Sequence, residues 1–121
     1  MIISIDTRKP KTKLPYSEDF SKWKKNLSDV NYEAIINELN SKFDDGEVHT
    51  AGWIPGHNWM GTVYQPIFDA CNQNEVKAAL FFGLIVYKVF MDRADTWACG
   101  RFELDGKAIK SLTYFKVKNV I

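Results

Sequence analysis

The stretch that decides the fold is Thr96–Val117, which reads TWACGRFELDGKAIKSLTYFKV. Two segments that mix β-branched, aromatic and polar residues flank the dipeptide Asp105-Gly106. That dipeptide is typical of a two-residue type I′ turn between antiparallel strands. The sequence therefore predicts a C-terminal β-hairpin, with Leu104 opposite Lys107 at the turn.

The same register extends along both strands and assigns the two faces of the hairpin. It pairs Gly100 with Ser111, and because side chains alternate between faces it groups four apolar residues on one predicted core face. These four are Ala98, Phe102, Ile109 and Phe115. Trp97 and Tyr114 lie on the other face, which is also partly apolar, so we expect another element to cover their end of the hairpin.

Upstream of the hairpin, apolar residues recur at helical spacing. The first predicted helix covers about 17–27 with Ser17 as N-cap, and the second runs from Ser28 or Asn31 to Gly46. A short helix follows Thr62, and a long one covers 75–93 after Asn74. The segments 2–5 and 47–53 are short candidate strands. The sequence thus predicts an α+β fold, with three or four helices packed on one face of a small antiparallel sheet built around the hairpin.

The segment 75–93 is apolar on nearly every side. A buried strand within it is the alternative, but its length favours a helix. Along one side of that helix lie Val76, Ala79, Leu80, Gly83, Tyr87, Phe90 and Met91. Because a helix apolar all round belongs in the interior, we expect it to be central and covered on several sides.

The length of 121 residues predicts a single compact domain, 1–121, with residues 1–15 as an extended basic arm. The N-terminus lacks the apolar stretch of a signal peptide, and the apolar run after Lys77 is too short to span a membrane. We therefore expect a cytoplasmic protein that does not enter membranes, with Cys71 and Cys99 reduced and structural.

Charge is distributed in three blocks, although the net charge is only +1. Residues 1–28 carry seven basic and three acidic side chains. Residues 29–75 carry one basic and eight acidic side chains, and residues 76–121 carry eight basic and four acidic ones. The blocks either neutralise each other within the fold, or offer an acidic face to a cationic partner or to an unlike face of another copy.

Nucleic-acid binding is an unlikely function on this pattern. The basic side chains Arg8, Lys9, Lys11, Lys13, Lys22, Lys24 and Lys25 could contact phosphates, and Trp23 could stack on a base. However, Trp23 lies on the apolar face of its predicted helix, and the acidic middle block opposes a polyanion.

The sequence carries no recognisable catalytic or metal-binding motif. The candidate ligands His49, His57, Cys71 and Cys99 lack the close spacing that marks a metal site. We predict no catalytic residue, no metal and no cofactor.

The most unusual segment is the loop Gly52–Gly61, GWIPGHNWMG, whose glycines and proline oppose regular structure although it is rich in apolar residues. Either Trp53 and Trp59 plug the core, or they form the walls of a pocket in which His57 and Asn58 are polar handles. Two indole rings could also hold a cationic ligand.

From these observations we expect a small non-enzymatic binding protein. It would engage a small ligand, a protein partner or its own copy as a homo-oligomer. The predicted contact residues are Trp53, His57, Asn58, Trp59, Trp97 and Tyr114. The alternative is a small enzyme with His57 as general acid/base in a tryptophan-lined pocket.

Overall fold

The structure is a computed structural model that describes residues 1–4, 8–46, 48–50, 59–100, 103–104, 107–108 and 113–117. Its strands are β1 Ile2–Ser4, β2 Pro10–Lys11, β3 Val48–Thr50, β4 Trp97–Gly100, β5 Glu103–Leu104, β6 Lys107–Ala108 and β7 Thr113–Lys116. Its helices are α1 Ser17–Lys24, α2 Asp29–Asp44, α3 Gln65–Ala70 and α4 Glu75–Asp92. The predicted α+β fold with a C-terminal hairpin is confirmed.

Five of these strands form one sheet in the order β2-β1-β4-β7-β3. The sheet is mixed, because β1 pairs with β4 in parallel, Ile2 opposite Trp97 and Ser4 opposite Cys99. The other pairs in this sheet are antiparallel. The expectation of a purely antiparallel sheet is therefore wrong at one pair. The helices between β1 and β4 supply the long connection that parallel strands require.

The hairpin keeps the predicted register at its tip and changes it at its base. Leu104 lies opposite Lys107 in the pair β5–β6, as predicted. In the pair β4–β7, however, Gly100 lies opposite Thr113 and not Ser111. A shift of two residues preserves the face on which each side chain lies. The turn Asp105-Gly106 lies outside the described residues.

The helix boundaries follow local hydrogen bonding. Ser28 caps α2, because its Oγ accepts from the backbone N–H of Asn31 at 3.2 Å, and the Asn74 side chain caps α4 in the same way through Lys77 at 3.0 Å. The predicted cap at Ser17 is wrong. Tyr16, with φ of 51°, precedes α1, and its side chain makes no capping hydrogen bond.

The core lies between the sheet and the helices, on the face of the sheet that carries Trp97 and Tyr114. The Phe90 ring on α4 stacks on Tyr114 at 4.3 Å and on Phe43 of α2 at 4.0 Å between centroids. It also lies 4.7 Å from Trp97. The prediction that something covers the Trp97–Tyr114 end is thus confirmed: α2 and α4 cover it.

The assignment of the core face is corrected. The face with Ala98 and Phe115 does not carry the main core, because Ala98 is buried yet lies outside the contiguous core cluster and Phe115 is only half-buried. Phe102 and Ile109 fall outside the described residues. Apolar residues lie on both faces of the hairpin, so the sequence pattern alone did not show which face packs against the helices.

The other two helices pack around the N-terminal half of α4. Phe20 and Trp23 of α1 each lie 5.8 Å from the Phe81 ring. Tyr64, just before α3, lies 5.2 Å from Phe82 in an edge-on arrangement. Trp23 is therefore largely a packing residue, as its helical position indicated.

Replacing Phe90 by alanine should remove the main contact between α4 and the sheet. We expect Phe90→Ala to lower the free energy of unfolding by about 3–5 kcal/mol, since a fully buried ring leaves a cavity. The measurement is urea denaturation followed by tryptophan fluorescence.

Two further variants make this prediction decisive. Phe90→Leu keeps much of the volume and should cost less than about 2 kcal/mol. Val30→Ala alters a side chain that is 78% exposed on α2 and should change stability by less than about 0.5 kcal/mol. Equal losses for Phe90→Ala and Val30→Ala would contradict the proposed core.

Candidate functional site

Only part of the predicted contact set can be placed. Trp53, His57 and Asn58 lie outside the described residues, so the roles assigned to them stay predictions. Trp59, Trp97 and Tyr114 are described, and the structure does not gather them into one surface.

Trp97 and Tyr114 belong to the core. Their exposed fractions are 0% and 1%, and both rings contact Phe90. Neither ring has surface to offer a ligand or partner in this fold. Their assignment as contact residues is therefore corrected, and the physical reason is the choice of sheet face: the helices lie on the side that carries these two rings.

Trp59 is half-buried and joins the end of the aromatic loop to the helices. Its ring is parallel to that of Phe68 at 6.4 Å and edge-on to that of Phe82 at 5.9 Å. The hydroxyl of Thr62 donates to the Trp59 carbonyl at 2.8 Å. Trp59 therefore serves as packing at least in part, with some of its surface still accessible.

The main apolar surface that the described helices leave open is on the N-terminal half of α4. Val76 is 71% exposed and Leu80 57% exposed, Ala79 beside them is also exposed, and Gly83 is partly so. These four residues lie on one side of the helix, and we call them the α4 stripe. The helix α4 is covered on several sides, as expected, but the side of its N-terminal half that carries the stripe is open.

The α4 stripe is open because the helix is longer than the strands beneath it. The 18 residues of α4 span about 27 Å at 1.5 Å each. The four residues of β4 span only about 13 Å. On the side of α4 that carries the stripe, Tyr87 and Phe90 are buried, and the Phe90 ring packs on the sheet. At Gly83, one turn before Tyr87, this side of the helix is already partly exposed.

A groove of about 290 Å³ runs between α2 and the C-terminal end of α4. Its walls are formed by Tyr32, Ile36, Asn40, Lys88, Val89, Asp92 and Arg93. The polar groups of this groove largely satisfy one another. Lys88 pairs with Asp92 at 3.0 Å, and Arg93 donates to the Asn40 side chain at 2.9 Å.

Arg93 is the electrostatic centre of this end of the molecule. Its guanidinium donates to both carboxylate oxygens of Asp95, each at 2.9 Å, and to Asp44 at 2.6 Å. Bidentate pairs of this kind are strong and directional. The hydrogen bonds from Arg93 lower the pKa of Asp95, and those to Asp95 raise the pKa of Arg93. The network ties the end of α2 to the segment between α4 and β4.

The candidate chemical groups of the sequence are dispersed. His49 lies in β3 against Phe43 and Trp97, where burial lowers its pKa. Cys71 and Cys99 are buried and form no disulfide, and burial raises the pKa of the Cys71 thiol. Within the described ranges, no three His, Cys, Asp or Glu side chains are close enough to hold a metal ion.

The basic side chains of the two N-terminal segments have different surroundings. Residues 8–13 are exposed beside β2, whereas the ammonium group of Lys24 lies 4.5 Å from the Tyr32 ring and 3.7 Å from Asp29. Residues 1–15 are only partly an exposed arm, since Ile2 is fully buried in β1. In the described part of the chain, no helix has the length and apolar character needed to cross a membrane.

Comparison with protein-family models, curated proteins and solved structures finds no match to this chain. The surface of the molecule is therefore the guide to its function.

The spacing of the stripe residues correctly predicts that they share one side of the helix, but it does not indicate that they are exposed. The signal that could have revealed this was the difference in length between the long helix and the short strands. A helix of 18 residues cannot be covered along its whole length by four-residue strands.

The Arg93 network predicts a pH dependence of stability. The pKa of Asp95 is lowered from its ordinary 3.8 in the folded state. The stabilisation supplied by the Asp95 charge is therefore complete above the pKa of this group in the unfolded chain. It is lost as the pH falls through the lower pKa of the group in the folded protein. We expect Asp95→Asn to cost about 1–2 kcal/mol at neutral pH, because a charged hydrogen-bond acceptor is lost.

The measurement is urea denaturation at a series of pH values from neutrality to acid. The difference in unfolding free energy between the natural protein and Asp95→Asn should shrink below pH 3.8. Asp29→Asn is the matched control, because its carboxylate is almost fully exposed and lies 3.7 Å from Lys24. A constant difference for Asp95→Asn across the acid range would exclude the proposed role of its charge.

Proposed function

We propose that this protein is a small non-enzymatic interaction protein that presents the α4 stripe to another polypeptide. The observation that carries the proposal is the exposure of Val76 and Leu80 on the same side of one helix, next to the exposed Ala79. Isolated apolar residues on a surface are ordinary, but an adjacent group on a regular helix is a feature of interaction surfaces. Positions i, i+3, i+4 and i+7 are those through which helices bind partner helices or grooves.

The shape of this surface favours a polypeptide over a small molecule. Small-molecule sites are concave, typically about 300–1,000 Å³, and surround most of the ligand. The α4 stripe is the outer side of a helix and therefore convex. The groove between α2 and α4, at about 290 Å³, is just below that range, and ion pairs within the protein already use Lys88, Asp92 and Arg93.

The loop that contains Trp53 and Trp59 is a second proposed contact. The support for it is that Trp59 packs on Phe82, which belongs to the same half of α4 as the stripe. A partner or small ligand that reached both surfaces would touch adjacent parts of the molecule. The alternative of an enzyme with His57 as general acid/base has no support among the described side chains beyond the sequence itself.

We also propose that the protein acts in the cytoplasm. The support is that Cys71 and Cys99 are both buried and form no disulfide, as expected of a protein from a reducing compartment.

The double variant Val76→Asp/Leu80→Asp tests the interaction surface. A partner recovered with the natural protein is identified, purified and titrated against both proteins by calorimetry. We expect the variant to bind at least about tenfold more weakly, a loss of about 1.4 kcal/mol, because two charges would be buried at the contact. Its unfolding free energy should change by less than about 1 kcal/mol, since both side chains are largely exposed.

Val30→Asp is the matched control, because Val30 is an exposed apolar residue on α2, away from the stripe. It should bind the partner as the natural protein does. If the double variant binds every reconstituted partner with unchanged affinity, the α4 stripe is not the interaction surface.

A further inference from the structure

The edge strand β3 is anchored to the core by one of its described side chains. Among the described strands it pairs with β7 alone, and it is three residues long. Its Val48 side chain is 63% exposed, whereas the His49 ring lies against the core. Edge segments with few buried contacts open more easily than the rest of a protein. The attachment of β3 to the sheet therefore depends on how well the His49 ring packs.

The His49 ring packs on two aromatic residues from different elements. Its centroid lies 5.0 Å from that of Phe43 on α2 and 5.7 Å from that of Trp97 on β4. Both of these residues are 0% exposed. The imidazole therefore acts here as part of the apolar packing between the helix and the sheet, a role that suits the neutral form of the ring.

The Nε2 atom of His49 is buried and has no hydrogen-bond partner in the part of the chain that the structure describes. In a neutral imidazole this nitrogen can be the one without a proton. In the protonated ring both nitrogens are donors, so Nε2 would carry a buried N–H without an acceptor. A buried donor or charge without a partner is costly. Uptake of a proton therefore favours a state in which the ring reaches water.

The charges that act on His49 from neighbouring elements also oppose its protonation. Burial is the main cause that lowers the pKa of His49, and the positive charges of Lys42 on α2 and Arg93 after α4 lower it further. A hydrogen bond with the backbone of Gly46 acts in the opposite direction. The ionisable side chains on the core face of β4 and β7 are Cys99, Tyr114 and Lys116.

The described acids at this end of the molecule do not compensate the imidazole. Asp44 and Asp95 bind the Arg93 guanidinium at 2.6 and 2.9 Å, and Asp45 is exposed at the end of α2. Glu47 lies outside the described residues. None of the ion pairs found in the described ranges includes a histidine. The protonated ring would thus lose its apolar packing without gaining an ion pair there.

We propose that His49 is a proton-sensitive latch, which holds β3 on the sheet as a neutral ring and releases the strand when it takes up a proton. The release is local, because α2 and α4 remain joined through Phe43 and Phe90 and through the Arg93 network. In the sequence β3 leads directly into the loop Gly52–Gly61, so the latch controls the strand from which that loop departs. This inference is separate from the α4 stripe, and neither depends on the other.

The sign of the pH dependence follows from the lowered pKa of His49 in the folded protein. The stabilisation of β3 by the neutral ring is complete above the ordinary pKa of 6.5, and it is lost as the pH falls from there through the lower pKa of the folded state. One proton changes the opening equilibrium by at most about tenfold per pH unit. Asp95 stays charged in this range, because its pKa is lowered from 3.8.

Hydrogen exchange of the full chain, followed by NMR between about pH 8 and about pH 5, tests the latch. We expect the protection factors of the amides that pair β3 with β7 to fall severalfold as the pH drops below 6.5. The amides that pair β1 with β4, and those in the middle of α4, should keep their protection.

Two results of this experiment would overturn the inference. A parallel loss of protection in β3, β1 and α4 would show that acid unfolds the molecule as a whole. Protection of β3 that stays constant or increases in acid would show that Phe43 and Trp97 retain the protonated ring.

The chain contains two histidines, which allows a matched pair of variants. His49→Phe keeps an aromatic ring that cannot take up a proton, so the protection of β3 should no longer change with pH. His57→Gln removes the other histidine and should behave as the natural protein does. The latch is wrong if His49→Phe retains the pH dependence or if His57→Gln loses it.

A direct titration decides the matter even if His49→Phe does not fold. In His57→Gln the imidazole signals belong to His49 alone, and they should titrate below pH 6.5 in step with the loss of β3 protection. An imidazole that titrates at or above pH 6.5, or a loss of protection that does not follow its titration, would exclude His49 as the latch.

Discussion

The stacking of Phe90 between Phe43 and Tyr114 is the contact on which the rest of the structure depends. One ring joins α4 to a second helix and to the sheet, at centroid distances of 4.0 and 4.3 Å. Because Phe90 fixes the C-terminal half of α4, it also fixes the direction in which the N-terminal half extends beyond the sheet. The exposed α4 stripe is therefore a consequence of where the helix is anchored and how long it is.

The two ends of α4 are held by different forces. At the C-terminal end, the Arg93 guanidinium connects α2 to Asp95 through short charged hydrogen bonds. At the N-terminal end, rings of α1 and of the segment before α3 pack on Phe81 and Phe82. These rings cover two sides of the helix and leave the stripe uncovered, so the open surface lies beside a rigid core.

Much of the fold could be predicted from the sequence because the signals were local. Helical spacing and side-chain caps gave α2 and α4, and the tip of the hairpin has its predicted register. Non-local features could not be read in the same way. The parallel pairing of β1 with β4 depends on the path of the whole chain. The face that carries Trp97 was not taken as the core face, because apolar residues lie on both faces of its strand. The exposure of the α4 stripe likewise depends on how far the strands extend beneath the helix.

The position of β1 has a consequence for the order in which the molecule is assembled. Ile2 is among the first residues of the chain, yet its neighbour Trp97 is made only after all four helices. A contact between such distant parts must wait until the intervening loop closes, which slows folding relative to proteins with local contacts. During synthesis the helices can form early, whereas the centre of the sheet cannot. A chain interrupted before β4 would therefore contain all four helices and lack the sheet on which they pack.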